Sequence, residues 1–238
     1  MRHNLHFSRL SLILVCSLFS LPSLVQAQAF EGVITMQMTS PMLGNQKIDM
    51  SYTVKGDKVL QTADDPKQGR MSIYTDTKAG TQIIVMEAQK VGMRIDQSTI
   101  DSAVKKLNLP KYEPKQTGKT EKIGDYKCEL FTMQVDSLEE MDMWLTKDYP
   151  KGLSAAIRNC IDAGMKATGV KSDAFMVLFN AGYAPVRIEM KQNGMTQLTN
   201  EFAKAEPMKL DDSMFIVPSD IQVSRFDPSH MNPGTEGK

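Results

Sequence analysis

The sequence predicts an α+β protein, mainly β: a curved antiparallel sheet of about 10–12 strands forming an unclosed half-barrel, with two helices covering the concave face. Three observations carry that prediction. Apolar and polar residues alternate along much of the chain. Short turns bearing Gly, Asp or Asn separate the alternating segments. Two segments switch to helical spacing. A sheet of so many strands must curl rather than stay flat, and a curled sheet with one apolar face can enclose a cavity.

The first residues read as an address. Arg2 and Arg9 precede the apolar run "LSLILVCSLFSLPSLV", and "VQAQA" offers cleavage after Ala27 or Ala29. Residues 1–27 are therefore expected to be a secretory signal peptide, which sends the rest to the periplasm or beyond. Cys16 follows Val15, where lipid attachment needs a small residue, so the expectation is a soluble product. No later segment approaches the roughly 20 apolar residues of a membrane span. The chain has 28 basic and 28 acidic residues. Losing Arg2 and Arg9 leaves it slightly acidic, and no basic patch with interleaved aromatics suggests a nucleic-acid partner.

Alternation begins at once. Ile34, Met36 and Met38 share one face of "GVITMQMTS", and Ile48, Met50, Tyr52 and Val54 share one face of "KIDMSYTVKG". Lys47, Asp49, Ser51 and Thr53 lie opposite, the mark of an antiparallel sheet wet on one side. "KGDK" and "TKAGT" are turns leading onward, and Met71 with Ile73, then Val91, Met93 and Ile95, continue the apolar face. In "DQSTIDSAVKKLNLP" the spacing of Ile100, Val104 and Leu107 predicts a helix stopped by Pro110. "KYEPKQTGKTEK" reads as a polar connection. Strands resume in "DYKCELFTMQV" and "MDMWLTKD", where Met141, Met143 and Leu145 share a face. Trp144 and Phe131 are expected on the faces opposite their methionine neighbours.

A second helix follows Pro150, with Leu153, Ile157, Cys160, Ile161 and Met165 as its apolar stripe. "AFMVLFNAGY" is apolar on both sides and reads as a strand covered twice. Asn193-Gly194 centres the clearest hairpin. Residues 28–224 make one domain, and 225–238, polar with Pro and Gly, a mobile tail. Cys128 and Cys160 survive processing; in an oxidising compartment an even pair predicts a disulfide, with two separately buried thiols as the competing reading.

Catalytic machinery is thin. The single histidine left after processing, His230, falls in the tail, so nucleophilic triads lack a base. The acidic turn of Asp136, Glu139, Glu140 and Asp142 lacks the spacing and central glycine of a calcium loop and reads as solvated. No catalytic residue, cofactor or metal is assigned, and the protein is not expected to be an enzyme. Methionine is the open question. Met36-x-Met38 and Met141-x-Met143 offer thioethers to Cu(I), the minor reading. The others are plain core packing and a pliable cavity lining.

Several segments resemble a known family when taken together: "FEGVI", "YTVKGDKV", "TEKIGDYKCELF", "MDMWLTKD" and "MFIVPSD". They resemble an uncharacterised family of secreted bacterial domains related to the lipoprotein-carrier superfamily (LolA/LolB-like), across roughly residues 30–220. The resemblance implies an unclosed antiparallel barrel with a helix-covered apolar concave face. In that superfamily carriers hold lipoprotein acyl chains and relatives sense envelope stress. The leading expectation is an envelope protein that holds a lipid or acyl chain non-covalently. Ile34, Met36, Met38, Met50, Tyr52, Met71, Met93, Met141 and Met143 would line the concave face. The alternative is a module that binds an envelope protein and whose core is filled by its own side chains.

Overall fold

The computed structural model describes residues 29–65, 69–99, 101, 113–167 and 173–227. The expected signal peptide, Ile100, Val104, Leu107, Met165's side chain and His230 lie outside what is described.

Among the described residues, twelve strands form one sheet. In chain order they are β1 (Glu31–Thr39), β2 (Lys47–Lys55), β3 (Lys58–Asp65), β4 (Gly69–Asp76), β5 (Thr81–Met86), β6 (Val91–Asp96), β7 (Lys115–Ile123), β8 (Tyr126–Gln134), β9 (Glu139–Thr146), β10 (Ala184–Gln192), β11 (Met195–Pro207) and β12 (Gln222–Arg225). Their spatial order is β12-β6-β5-β4-β3-β2-β1-β11-β10-β9-β8-β7, so β12 and β7 are free edges and the barrel does not close. Every pairing is antiparallel except β12 with β6. Two helices, α1 (Lys151–Ala167) and α2 (Asp173–Asn180), stand between β9 and β10.

Turn chemistry fixes the registers. Gly56-Asp57 joins β2 to β3 with Lys55 opposite Lys58, and Gly124-Asp125 joins β7 to β8 with Ile123 opposite Tyr126. Asn193 and Gly194 both have positive φ, 52° and 75°, the requirement of a type I′ hairpin whose twist matches its strands.

Three expectations are corrected. "AFMVLFNAGY" is not a strand but contains α2: Phe175, Leu178 and Phe179 point inward while Val177 is exposed, which is helical spacing in a segment too short to declare it. Residues 115–122, part of the stretch read as a connection, belong to edge strand β7, Lys115–Ile123. Its side chains are exposed apart from Ile123, so only its pairing with β8 makes it a strand. Phe131 lies directly opposite Met143 and two residues from Met133, so it shares their face. Trp144 does point the other way, opposite Leu130 and Arg187.

Two helix-to-sheet clusters make the core. α1 contributes Leu153, Ala156, Ile157 and Cys160 to a cluster with Ile34, Met36, Tyr52, Val54 and Val186. α2 contributes Phe175, Leu178 and Phe179 to another with Phe131, Met133, Met143 and Leu145. Arg158 ties the helices together by donating from its Nη1 to the Phe179 carbonyl at 2.5 Å. The outer face of the same strands is charged: Arg187 pairs with Glu201, and Lys191 donates to Asp142. Near the carboxyl end Phe226 packs on Ile95, as Ile84 and Met93 do, so packing contacts reach into the stretch that begins at 225.

The expected disulfide is also corrected. Cys128 and Cys160 are free, buried thiols within the α1 cluster. The Cys128 thiol is satisfied locally, donating to the Tyr126 carbonyl at 3.6 Å. Burial pushes the two thiols up to about 11 and about 12, so both are held neutral.

Candidate functional site

Residues directly opposed across antiparallel strands share a face, so the registers trace the inner surface row by row. Met36 opposes Met50, and the row continues through Ala63, Met71, Met86 and Val91 on β3 to β6. Ile34 opposes Tyr52, and that row continues through Gln61, Ile73, Ile84 and Met93. In the other direction Met38 leads through Asn200 and Ile188 to Met143 and Phe131. Met190, Met141 and Met133 form a parallel row beside it. All nine residues singled out in the sequence therefore lie on one face of the sheet.

That face is not equally covered. Ile34, Met36, Tyr52 and Met143 are buried beneath or beside the helices. Desolvation raises the Tyr52 hydroxyl well above its ordinary value, with a smaller contribution from Cys160. Over β4 to β6 one row of the surface opens: Met71 is 39% exposed, Met86 44% and Val91 37%, whereas Ile95 on the same face of β6 is buried with Phe226 packed on it. The methionines are spread along rows rather than gathered on one point. Among the described residues no three His, Cys, Asp or Glu side chains are grouped to hold a metal. Within the acidic turn, the Asp136 carboxylate accepts from the Leu138 and Glu139 amides, which is turn stabilisation.

The sequence reading missed Ile84, Met86 and Met133 as members of this face. Their alternation was visible; what joined them to the nine was register, which sequence does not print. One inner-face polar group stands out, the buried Oδ1 of Asn200, which has no hydrogen-bond partner among the described residues.

Two clefts flank the first turn of α1, and Leu153 and Ala205 border both. The larger, about 660 Å³, lies between Phe30, Leu153, Ala205, Pro207 and Met208, with Glu31 and Lys209 as its charged members. The smaller, about 300 Å³, lies beside Ile123, Tyr126, Val186 and Phe202. Tyr126, Tyr149 and Phe202 pack mutually there, with ring centroids 4.3–5.8 Å apart. None of the nine inner-face residues lines either cleft.

Among the described residues no helix is long and apolar enough to cross a membrane. No curated protein matches the sequence. Solved structures do match. PNGF-II is 16% identical with a TM-score of 0.43, covering 85% of this chain and 33% of its own, so this chain spans about a third of that protein. The Mycobacterium tuberculosis lipoprotein LppX is 9% identical with a TM-score of 0.39, covering 76% of this chain and 90% of its own. The LolA superfamily protein NE2245 from Nitrosomonas europaea is 10% identical with a TM-score of 0.34, covering 81% of this chain and 91% of its own. A model for a domain of unknown function, DUF4412, matches residues 30–221, and the chain belongs to that family.

Proposed function

We propose that this is an exported envelope protein, released from a signal peptide over residues 1–27, that holds an apolar ligand such as a lipid or acyl chain against the inner face of its half-barrel. One observation carries the reading: the apolar face runs on past the helices and is left open over β4 to β6, at Met71, Met86 and Val91. Beneath α1 and α2 the face is filled by the protein's own side chains, so the ligand belongs to the uncovered part. Methionine suits such a surface because its unbranched, polarizable side chain adapts to varied shapes. Exposed apolar surface of this kind marks binding sites more often than idle surface.

The test is native mass spectrometry of protein recovered from the periplasm, with uptake of the neutral apolar dye N-phenylnaphthylamine. An added lipid-sized mass, and dye fluorescence lost in Met71→Asp and Met86→Asp, are the expected results. Protein without added mass that leaves the dye dark overturns the reading. The same open strip supports a second reading, in which an envelope protein covers it. A stoichiometric partner whose capture is abolished by Met71→Asp, with no lipid present, selects that one.

A further inference from the structure

We infer that the 660 Å³ cleft at the first turn of α1 is a separate binding site for a single-chain amphiphile with an anionic head, of the fatty-carboxylate class. Its size lies in the roughly 300–1,000 Å³ range of small-molecule sites, and its walls are mostly apolar: Phe30, Leu153, Ala205, Pro207 and Met208. The wall is built rather than loose. The Met208 amide donates to the Glu31 carbonyl at 3.0 Å, and the Leu210 amide donates to the Glu31 carboxylate at 2.6 Å. Lys55 closes the arrangement by donating to the Leu210 carbonyl at 2.7 Å.

Charge selects the head group. Glu31, the acidic group in the cleft, is engaged by the Leu210 amide and lies 3.8 Å from the Lys55 ammonium. Lys55 also pairs with Asp212 at 3.1 Å, so the charges behind the wall are matched. Lys209, on the cleft itself, has no ion-pair partner among the described residues. Gly152 and Leu153 add the first turn of α1, which carries no acidic residue and whose leading amides have no intrahelical acceptor. An apolar cleft with one unmatched cation at its rim complements a chain ending in a carboxylate.

The cleft lies several strands from the open strip over β4 to β6, and the experiment separates the two. Laurate is titrated calorimetrically into the exported chain below its micelle-forming concentration, alongside neutral dodecanol. Laurate binds once per chain, and Lys209→Glu and Met208→Glu each weaken it about tenfold or more, the scale of one lost charge-assisted contact. Both substitutions are at exposed positions, so melting temperatures stay unchanged, while Met86→Asp in the open strip leaves laurate affinity intact. Absence of binding overturns the inference, as does affinity equal to that of dodecanol. Laurate binding that ignores both cleft variants and is lost in Met86→Asp also overturns it, and leaves the inner-face reading standing.

Discussion

Met36 and Met50 lie directly opposite one another on β1 and β2, and Met71 and Met86 repeat the relationship on β4 and β5. The first pair packs with the α1 cluster, while the second faces outward at the open strip. One side chain thus serves two environments along one row. Met36→Leu, close in volume, should cost less than about 1.5 kcal/mol, whereas Met36→Ala should cost about 2–5 kcal/mol. Met71→Ala, being exposed, should stay within about 0.5 kcal/mol. Urea melts of the three variants check the ranking.

Gly32 holds β1 against β11. A Cβ at this position would lie 2.2 Å from the Glu206 carbonyl oxygen, a backbone atom that cannot step aside without opening the pairing. Gly32→Ala should destabilise by about 1–3 kcal/mol, the range of overpacking, and sharpen hydrogen exchange at the amides of Met208 and Leu210. Unchanged melting and exchange would count against this account of "FEGVI".

The β10–β11 turn depends on left-handed backbone at Asn193 and Gly194. Gly194 has open space around its Cα, so sterics with neighbours play no part and only the φ of 75° matters. Gly194→Ala should therefore cost about 1–2 kcal/mol. Asn193→Gly should be tolerated within a few tenths of a kcal/mol, since both residues reach this conformation. Thermal melts distinguish the pair.

Burial holds the Cys128 and Cys160 thiols up to about 11 and about 12, above their ordinary value of 9.0, and also raises Tyr52 and Tyr149. Between about pH 9 and the folded-state values the unfolded chain loses thiol protons that the folded chain keeps. Stability from these groups is full below pH 9 and falls as pH rises through that window. Denaturant midpoints at pH 8, 9.5 and 10.5 should decline, and less steeply in a Cys128→Ala, Cys160→Ala variant. In the folded protein at pH 8 neither thiol should react with iodoacetamide, and both should react in urea.

Strands with one wet face declared themselves in the sequence, because lysine, aspartate and threonine alternate with Ile34, Met36, Tyr52 and Val54. The Asn193-Gly194 hairpin was equally legible, since its backbone geometry admits few residues. α2 was not: eight residues that are apolar nearly all round carry no period, and burial of Phe175, Leu178 and Phe179 against β8 and β9 decided for helix. β7 was hidden for the opposite reason. An exposed edge strand has no apolar alternation to show, and its polarity guards a free edge.

The sequence by itself determined that a curled sheet would form and which residues would share its apolar face, because period-2 alternation is a local property of an extended chain. Tertiary structure decided the rest. Strand register placed Met133, Met190, Ile84 and Met86 beside the nine expected residues, and helix placement decided which of them are packed and which stay open. Cys128 and Cys160 depended on it too: their even number suggested a bond, but bonding is a matter of approach in space, and the fold keeps them as two buried thiols. The cleft at the first turn of α1 brings together residues near 30, 152 and 208. No local pattern announces it, because a cavity is the space that distant segments leave when they pack.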